Sequence, residues 1–270
     1  MSTEQKSGIV KVKGICIPYI DAGREVDGRP PLLLLHGAGG NSDTHFSYLF
    51  SMLAFRQRVL ALDFQHPRMS ACSYEPFVRQ VCGVIDHLFP QRPIALLGYG
   101  LGAVIAAAVA ADAPDRIDPL VLVAGWIRTD AQQQLRHDVW RALRHTDASR
   151  KYAAISELSP SYLVATGRTE LPEREVLDDD LFDLQMEIAN NVDLREVVPR
   201  IKARTLLVGA TSDQVVPKSH LKQLLGAIDD SRYVEIPPGH AIHIERPAEL
   251  FQRVDDFMRS PSAHRPGSLI

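Results

Sequence analysis

Short apolar stretches alternate with longer amphipathic ones along most of this chain, a pattern typical of mixed α/β proteins. In residues 74–89, for example, Phe77, Val81 and Ile85 recur at helical spacing, and the stretch ends before Pro90. Strands that alternate with helices pair in parallel, because each helix returns the chain to the starting end of the sheet. We therefore predict a mostly parallel central sheet flanked by helices. The predicted strands are residues 9–17 with a hairpin partner at 19–22, then 32–35, 59–62, 94–97, 120–124, 204–208 and 233–236.

The alternation stops between residues 126 and 200. This stretch holds charged, helix-like segments such as 131–143 and 181–189, which end in loops that contain proline or glycine. We interpret it as a helical cap inserted into the sheet domain. The predicted layout is an α/β core at 1–125 and 201–260, a cap at 126–200, and a loose C-terminal tail at 261–270, which is rich in Pro, Ser and Gly.

Composition narrows the range of partners. The 270 residues are enough for one α/β domain with an insertion, and a net charge of -3 gives no reason to expect nucleic acid or an acidic membrane as a partner. No apolar run approaches the roughly 20 residues that span a bilayer, and residues 1–8 lack the apolar core of a signal peptide. The 3 cysteines show no metal-ligand spacing and are typical of reduced thiols. We expect a cytoplasmic protein without a nucleic-acid, membrane or metal partner; the composition leaves the oligomeric state open.

The most informative segment is 94–102, Ile-Ala-Leu-Leu-Gly-Tyr-Gly-Leu-Gly, an apolar strand that runs into G-x-G-x-G before a helix of small residues. In this context a G-x-S-x-G sequence places a nucleophilic serine on a sharp strand-to-helix turn. Here the middle position is Gly100, which has no side chain. An acyl-enzyme therefore cannot form at this position.

Three further features stand at the ends of predicted strands. The glycine-rich turn 36–40, His-Gly-Ala-Gly-Gly, follows the strand at 32–35; Asp213 follows 204–208; and His240, preceded by Pro-Gly, follows the last strand. Each has a second interpretation: Asp213 as the N-cap of the next helix, His240 as a packing residue. An acid near Asp130 is a possible substitute for Asp213.

The order of elbow, acid and histidine, with a glycine-rich turn before them, resembles the α/β-hydrolase superfamily over nearly the whole chain. The resemblance implies an α/β-hydrolase fold with a helical cap. It also implies that His240 moves protons, that Asp213 holds its imidazole in one tautomer, and that the amides of Ala38 and Leu101 form an oxyanion hole. It implies no cofactor. The G-x-G-x-G run lacks the spacing of the dinucleotide motif G-x-G-x-x-G, and the sequence has no P-loop.

Four residues are candidates for binding the substrate. Tyr99 precedes the elbow position, Gly39 lies in the glycine-rich turn, and Trp126 and Trp140 are aromatic residues of the predicted cap. Tyr99 has an alternative role in packing against the neighbouring strand. An aromatic, helical cap favours a mid-sized hydrophobic carbonyl compound as substrate, such as an intermediate of secondary metabolism.

Three functions fit this pattern. The chain is an enzyme that uses the His–Asp dyad without a serine nucleophile, for hydrolysis, elimination, cyclisation or C–C cleavage of an ester, lactone or ketone. Alternatively it is a serine hydrolase inactivated at Gly100, naturally or by design, or a non-catalytic small-molecule binder or sensor. We favour the first, because a binder has no use for Asp213 and His240, and because glycine is a less usual replacement than alanine in an engineered knockout.

Overall fold

The computed structural model describes residues 4–67, 72–171 and 179–270, and its centre is one β-sheet. The strands are β1 (Lys6–Val12), β2 (Ile15–Ala22), β3 (Leu32–Leu35), β4 (Val59–Leu62), β5 (Ile94–Tyr99), β6 (Ile117–Val123), β7 (Thr205–Ala210) and β8 (Ser231–Ile236). Their order across the sheet is β1-β2-β4-β3-β5-β6-β7-β8. β1 pairs with β2, and β2 with β4, in antiparallel fashion, and the other neighbouring pairs are parallel. The predicted mostly parallel sheet is confirmed.

The N-terminal end of the sheet differs from the prediction. The sequence predicts one strand over 9–17, but the chain turns inside that range, at Lys13 with φ 46° and Gly14 with φ 85°. Gly14 permits this turn because glycine adopts a positive φ at little cost. The apolar positions shift by one residue at this point, from Val10 and Val12 before the turn to Ile15 and Ile17 after it, a signal that the prediction of a single strand overlooked.

Helices cover both faces of the sheet. They are α1 (Ser42–Ala54), α2 (Glu75–Leu88), α3 (Leu101–Asp112), α4 (Ala131–Leu143), α5 (Ala148–Glu157), α6 (Pro160–Thr166), α7 (Asp179–Asn190), α8 (Lys218–Ala227), α9 (Ile242–Glu245) and α10 (Pro247–Arg259). Helices α1 and α10 bury apolar side chains in one cluster, and α2, α3 and α8 do so in another.

Strand β3 shows how the two faces arise from the sequence. Its four leucines are all fully buried, and they alternate between the clusters: Leu32 and Leu34 contact the α1 and α10 side, Leu33 and Leu35 the α2 and α3 side. Successive side chains of a strand point to opposite faces, so a strand covered on both sides is apolar throughout. The continuous apolar run predicted at 32–35 is confirmed with the same bounds.

The helices α4–α7 leave the alternating pattern, as the sequence predicts for this region. They follow β6 and precede β7 in the chain, and three of them border the cavity described below. The division of the chain into a core and a cap with the boundaries given above stays a prediction.

The C-terminal segment is attached to the sheet, unlike the loose tail that the sequence predicts at 261–270. Gly267 donates its N–H to the carbonyl of Ser231 over 2.7 Å, and the Tyr233 backbone bonds to Ser268 and Ile270 over 3.0 and 2.8 Å. These bonds lie along β8, the edge strand, whose unpaired backbone groups attract a partner. Among the described residues, the helices are too short or too polar to cross a membrane.

Candidate active site

The elbow at Gly100 joins the end of β5 to the first residue of α3. Its backbone has φ 56° and ψ -120°, a conformation that costs glycine little and other residues more. The Gly100 N–H donates to the carbonyl of Val123 over 2.9 Å, and its carbonyl accepts the N–H of Ala103 over 3.0 Å. The turn is therefore held from both sides at the carboxyl edge of the sheet.

The three glycines of the elbow meet different surroundings. A Cβ atom on Gly98 would lie 2.2 Å from the carbonyl oxygen of Gly102, and one on Gly102 would lie 2.2 Å from that of Leu35. Both contacts are impossible, so these two positions require glycine. A Cβ on Gly100 meets nothing closer than Nε2 of His240 at 3.7 Å and Cα of Gly37 at 3.8 Å. The nucleophile position therefore has room for a side chain.

His240 and Asp213 form a buried pair. Nδ1 of His240 lies 2.8 Å from Oδ2 of Asp213, and the other carboxylate oxygen accepts the amides of Val215 and Val216 over 2.8 and 2.7 Å. Because a carboxylate only accepts hydrogen bonds, Nδ1 carries the proton, and the lone pair of a neutral imidazole is then on Nε2. That is the atom 3.7 Å from the Cβ position at Gly100.

The alternative acid, Asp130, lies elsewhere. Its carboxylate accepts the amide of Gln133 at the start of α4 and stands 3.0 Å from Nε2 of His220. The two amide bonds of Asp213 fix the turn ahead of α8, so this aspartate shapes the local backbone as well as contacting His240. Of the two candidate acids, the structure brings only Asp213 to His240.

The predicted oxyanion amides lie on two sides of the elbow. Leu101 is the first residue of α3, where a backbone N–H has no acceptor within the helix. In the glycine-rich turn, the amide of Gly37 donates to Nδ1 of His45 over 3.1 Å, and that of Gly39 to Oε1 of Gln185 over 2.9 Å. Ala38 lies between them, and Ala38 and Leu101 both border the cavity together with Gly100.

His36 fixes the start of this turn. Its Nε2 accepts the amide of Phe64 over 3.0 Å, so its Nδ1 carries the proton and donates to the carbonyl of Gly37 over 2.9 Å. Burial is the largest influence on the pKa of His36 and lowers it, although the Gly37 carbonyl and the Asp63 carboxylate both act to raise it. The neutral ring thus ties the ends of β3 and β4 together.

Gly39 and Tyr99, two of the residues predicted to contact the substrate, have hydrogen-bond partners within the protein. The amide of Gly39 is bonded to Gln185 of α7, and Gly39 is not among the described residues that border the cavity; its contact with substrate stays a prediction. Tyr99 borders the cavity and also packs: its hydroxyl donates to the carbonyl of His240 over 3.1 Å, and the ring centres lie 5.3 Å apart. Gly39 therefore anchors the turn to α7, and Tyr99 positions the backbone of His240.

A cavity of about 360 Å³ lies between the elbow and helices α4, α5 and α7. Its sheet end consists of the elbow, the glycine-rich turn and His240, and Trp126 and Trp140 both border it. The inserted region contributes Gln133, Arg136, His137 and Trp140 from α4, with Arg144 and His145 just after it; Ser149, Arg150, Tyr152, Ala153, Ser156 and Glu157 from α5; and Phe182, Asp183, Met186, Ala189 and Asn190 from α7.

Sequence reasoning missed the cationic side of this wall. Arg136 and Arg144 are spaced eight residues apart on the same face of α4, a pattern that a helical wheel of 131–143 extended by one residue would have revealed. His137, on the same face, is buried, which lowers its pKa. No group of three or more metal-binding side chains occurs in the part of the chain that the structure describes.

Comparison with known proteins identifies the family. A model of the alpha/beta hydrolase family matches residues 32–253. The chain belongs to this family and is an enzyme of it. A pyrrolizixenacetamide deacetylase from Xenorhabdus hominickii is 27% identical over 250 residues, 87% of this chain and 93% of the relative. A putative carbamate hydrolase, RutD, from Escherichia coli K12 (DH10B) is 24% identical over 277 positions, 93% of this chain and 97% of the relative.

Solved structures with the same fold include other enzymes. The enol-lactonase of Burkholderia xenovorans LB400 superimposes with a TM-score of 0.79 at 22% identity, covering 94% of this chain and 100% of the other. A meta-cleavage product hydrolase of Pseudomonas fluorescens IP01 gives 0.77 at 22%, covering 93% and 97%. At this identity they show the fold alone, and the predicted α/β-hydrolase fold is confirmed.

Proposed function

We propose that this member of the alpha/beta hydrolase family acts on a hydrophobic carbonyl compound through His240 and Asp213, without a covalent intermediate. One observation carries the proposal: the complete His–Asp pair faces an elbow that has space but no nucleophile, with Nε2 of His240 3.7 Å from the Cβ position at Gly100. A base so placed can take a proton from a bound molecule instead of from a serine.

For an ester or a lactone, that molecule is water. Nε2 of His240 removes a proton from water as the water oxygen bonds to the carbonyl carbon, and Asp213 stabilises the resulting imidazolium. The carbonyl oxygen becomes an oxyanion, which the amides of Ala38 and Leu101 stabilise. His240 then gives the proton to the leaving oxygen as the carbon–oxygen bond breaks, which yields an acid and an alcohol. The water would bind where a serine hydroxymethyl group would lie.

For a ketone, His240 and the two amides would act on a proton of the substrate and not on one of water. Nε2 of His240 would remove a proton from the carbon next to the carbonyl, and the enolate oxygen would lie at the amides of Ala38 and Leu101. Elimination or cyclisation can follow from the enolate. C–C cleavage of a β-dicarbonyl compound would start instead with His240-assisted addition of water to one carbonyl carbon; the C–C bond then breaks, and the departing enolate carbon takes the proton from His240. The names of the two relatives, a deacetylase and a putative carbamate hydrolase, support hydrolysis at a carbonyl group as the first reaction to test.

The setting that we propose is cytoplasmic secondary metabolism with a small hydrophobic carbonyl substrate. The cavity bordered by Trp126, Trp140 and Phe182 supports the hydrophobic part of this proposal, because apolar side chains dominate sites for such ligands.

A second function has its own supporting observation. A Cβ atom at residue 100 would make only ordinary contacts, with Nε2 of His240 at 3.7 Å, so the position accepts a side chain beside His240. This favours a serine ester or lactone hydrolase whose nucleophile has been replaced. A non-catalytic binder, the third function, has no such observation in its favour.

Turnover of a panel of short esters, lactones and β-dicarbonyl compounds separates these functions. The variants are Gly100→Ser, His240→Ala, Gly100→Ser with His240→Ala, and Asp213→Asn. The matched control is Asp130→Asn, because asparagine also caps helices and Asp130 does not contact His240.

We expect the unaltered chain to turn over at least one compound without a burst. His240→Ala should abolish this activity, and Asp213→Asn should lower kcat by about 10³- to 10⁴-fold because the imidazole loses its preferred tautomer. The control should keep full activity. Hydrolysis by the serine variant alone, with a burst, would instead establish an inactivated serine hydrolase. Ligand binding without turnover by any form, unaffected by His240→Ala, would establish a binder.

A further inference from the structure

One cation on the wall of the cavity is held in place without a carboxylate partner. Arg136 of α4 borders the cavity, and its guanidinium carbon lies 5.8 Å from the centre of the Tyr152 ring on α5. The hydroxyl of Tyr152 donates to the backbone carbonyl of Arg136 over 3.1 Å. The ring thus contacts both ends of the arginine, which limits the positions that its guanidinium can take.

The other arginines of the cavity wall have acidic partners. Arg144 forms an ion pair with Asp183, and Arg150 lies 3.9 Å from Glu170. For Arg136, no carboxylate oxygen lies within 4.0 Å among residues 4–67, 72–171 and 180–270, whose side chains the structure describes. A guanidinium remains charged at every physiological pH, so Arg136 presents to the cavity a positive charge with no described carboxylate at ion-pair distance, although Glu157 borders the same cavity.

Such a charge favours an anionic ligand. Arginine binds carboxylates through two parallel N–H bonds, and these bonds are stronger where the surroundings exclude water. The cavity wall around Arg136 includes the side chains of Trp140 and Tyr152, which displace water from part of the site. The reacting carbonyl belongs at the sheet end, beside Gly100, whereas Arg136 lies on the wall that the inserted helices form.

We propose that the substrate is an oxo or acyl compound that also carries a carboxylate, and that Arg136 binds this carboxylate while the carbonyl lies at Gly100. The inference deepens the proposed function by naming its substrate class, and it rests on that function only for the reaction at the carbonyl. Binding of the carboxylate is independent of whether turnover follows.

The chain contains its own reporter for the test. Its 2 tryptophans are Trp126 and Trp140, and both border the cavity, so intrinsic fluorescence reports on this site. The probes are ω-1 oxo carboxylates from 5-oxohexanoate to 9-oxodecanoate, each compared with its neutral primary amide. Calorimetry of 7-oxooctanoate and 7-oxooctanamide gives a second measurement of the same affinities.

We expect the unaltered chain to bind at least one carboxylate about tenfold more tightly than its amide, since hydrogen bonds to charged groups are the stronger ones. Arg136→Met keeps most of the apolar stem and should remove this preference while leaving amide binding unchanged. Arg136→Gln provides a second variant should the first fail to fold. Arg141→Met is the control: Arg141 lies on the same helix, but it is exposed and pairs with Glu187 over 3.4 Å. It should keep the preference.

Three outcomes would overturn the proposal: equal affinity for acid and amide, a preference that survives in both Arg136 variants, or no binding by any probe length. His240→Ala separates this proposal from the proposed function. If His240→Ala keeps the preference for the carboxylate over the amide, Arg136 remains the carboxylate site. If, in addition, no form of the chain turns over any compound, the catalytic role of His240 is refuted while the role of Arg136 stands.

Discussion

A side chain at residue 100 would enter open space beside His240, whereas one at residue 98 or 102 would collide with backbone atoms. Gly98 allows α3 to pack closely on β5, and Gly102 allows α3 to approach the end of β3, since a Cβ atom at either position would lie 2.2 Å from a carbonyl oxygen. At Gly100 only the backbone conformation, with φ 56°, favours glycine. Packing therefore explains two of the three glycines, and the absence of a nucleophile is a separate feature of the site.

Gly100→Ser should fold. The backbone conformation costs a residue with a side chain about 1–3 kcal/mol, and the new Cβ would have no close contact, so the melting temperature should fall by no more than about 10 °C. The hydroxyl should also react with a fluorophosphonate, which mass spectrometry detects as an added mass at residue 100. Gly98→Ser is the control, and it should give little folded protein. Normal folding of that control would show that the elbow is less closely packed than the distances indicate.

His36 makes stability depend on pH. Burial lowers its pKa in the folded chain, whereas in the unfolded chain the residue keeps its ordinary value near 6.5. The neutral, buried ring of His36 therefore stabilises the folded chain fully above pH 6.5. This stabilisation is lost as the pH falls from there toward the pKa of the folded state, because the unfolded chain takes up the proton first. Buried His137, whose pKa is also lowered, acts in the same direction.

The melting temperature should accordingly fall as the pH is lowered from 7.5 to 5. Thermal denaturation at several pH values measures this change. His36→Gln should make this dependence shallower, with a slope reduced by at most about 1.4 kcal/mol per pH unit. His66→Gln, at an exposed loop position, should leave the slope unchanged. An identical slope in both variants would mean that burial of His36 has no effect on acid stability.

At the scale of elements, one buried carboxylate joins the inserted helices to the His240 loop. Glu245, at the end of α9, accepts the amide and hydroxyl of Ser159 over 2.7 and 2.6 Å and the amide of Gly239 over 3.1 Å. Ala241 donates its amide to the carbonyl of Glu157 over 2.9 Å. Both neighbours of His240 are thus fixed: Gly239 is bonded to Glu245, and Ala241 is bonded to Glu157 at the end of α5.

Glu245→Ala should lower the free energy of unfolding by about 3 kcal/mol, because it leaves buried N–H groups without an acceptor. Chemical denaturation measures this change. Glu245→Gln should retain most of the stability, since its amide oxygen still accepts hydrogen bonds and its NH₂ donates to Ser159. Glu196→Ala, at an exposed position, is the control and should be neutral. A loss as large in the control as in Glu245→Ala would contradict the role of this contact.

At the scale of the whole molecule, the inserted helices create the cavity. The parallel strands bring Gly100, Asp213 and His240 to one edge of the sheet, because the carboxyl ends of parallel strands lie together. Helices α4, α5 and α7 then close the space above that edge into about 360 Å³. The sheet thus supplies the reactive groups, and the helices supply most of the surface that a substrate would contact.

The C-terminal segment protects the far edge of the same sheet. Deletion of residues 261–270 would remove the bonds from Gly267, Ser268 and Ile270 to β8, and it should lower stability by about 2 kcal/mol. The uncovered edge strand should also promote self-association. Thermal denaturation and light scattering measure the two effects. Leu269→Ser, at an exposed side chain, keeps the backbone bonds and should change neither; unchanged behaviour of the deleted chain would show that the segment is dispensable.

Much of this architecture could be predicted from the sequence. The buried apolar runs of β3 and β4 and the helical spacing in α2 specify elements without reference to the rest of the chain. The hairpin turn at Gly14 was missed although its signal is local, a one-residue shift in the alternation between Val12 and Ile15. The bond from the amide of Gly39 to Gln185 could not be predicted either, because Gln185 is distant in sequence and belongs to an inserted helix.

By itself, the sequence determined the α/β class, the order of elbow, acid and histidine, and the absence of a hydroxyl at Gly100, since these follow from local periodicity and from residue identity. The tertiary structure alone decided that Asp213 rather than Asp130 contacts His240, that residue 100 has room for a side chain, and that Arg136 faces the cavity beside Tyr152. These are distances between residues far apart in the chain. Such distances depend on how helices and strands pack together, which no local pattern encodes.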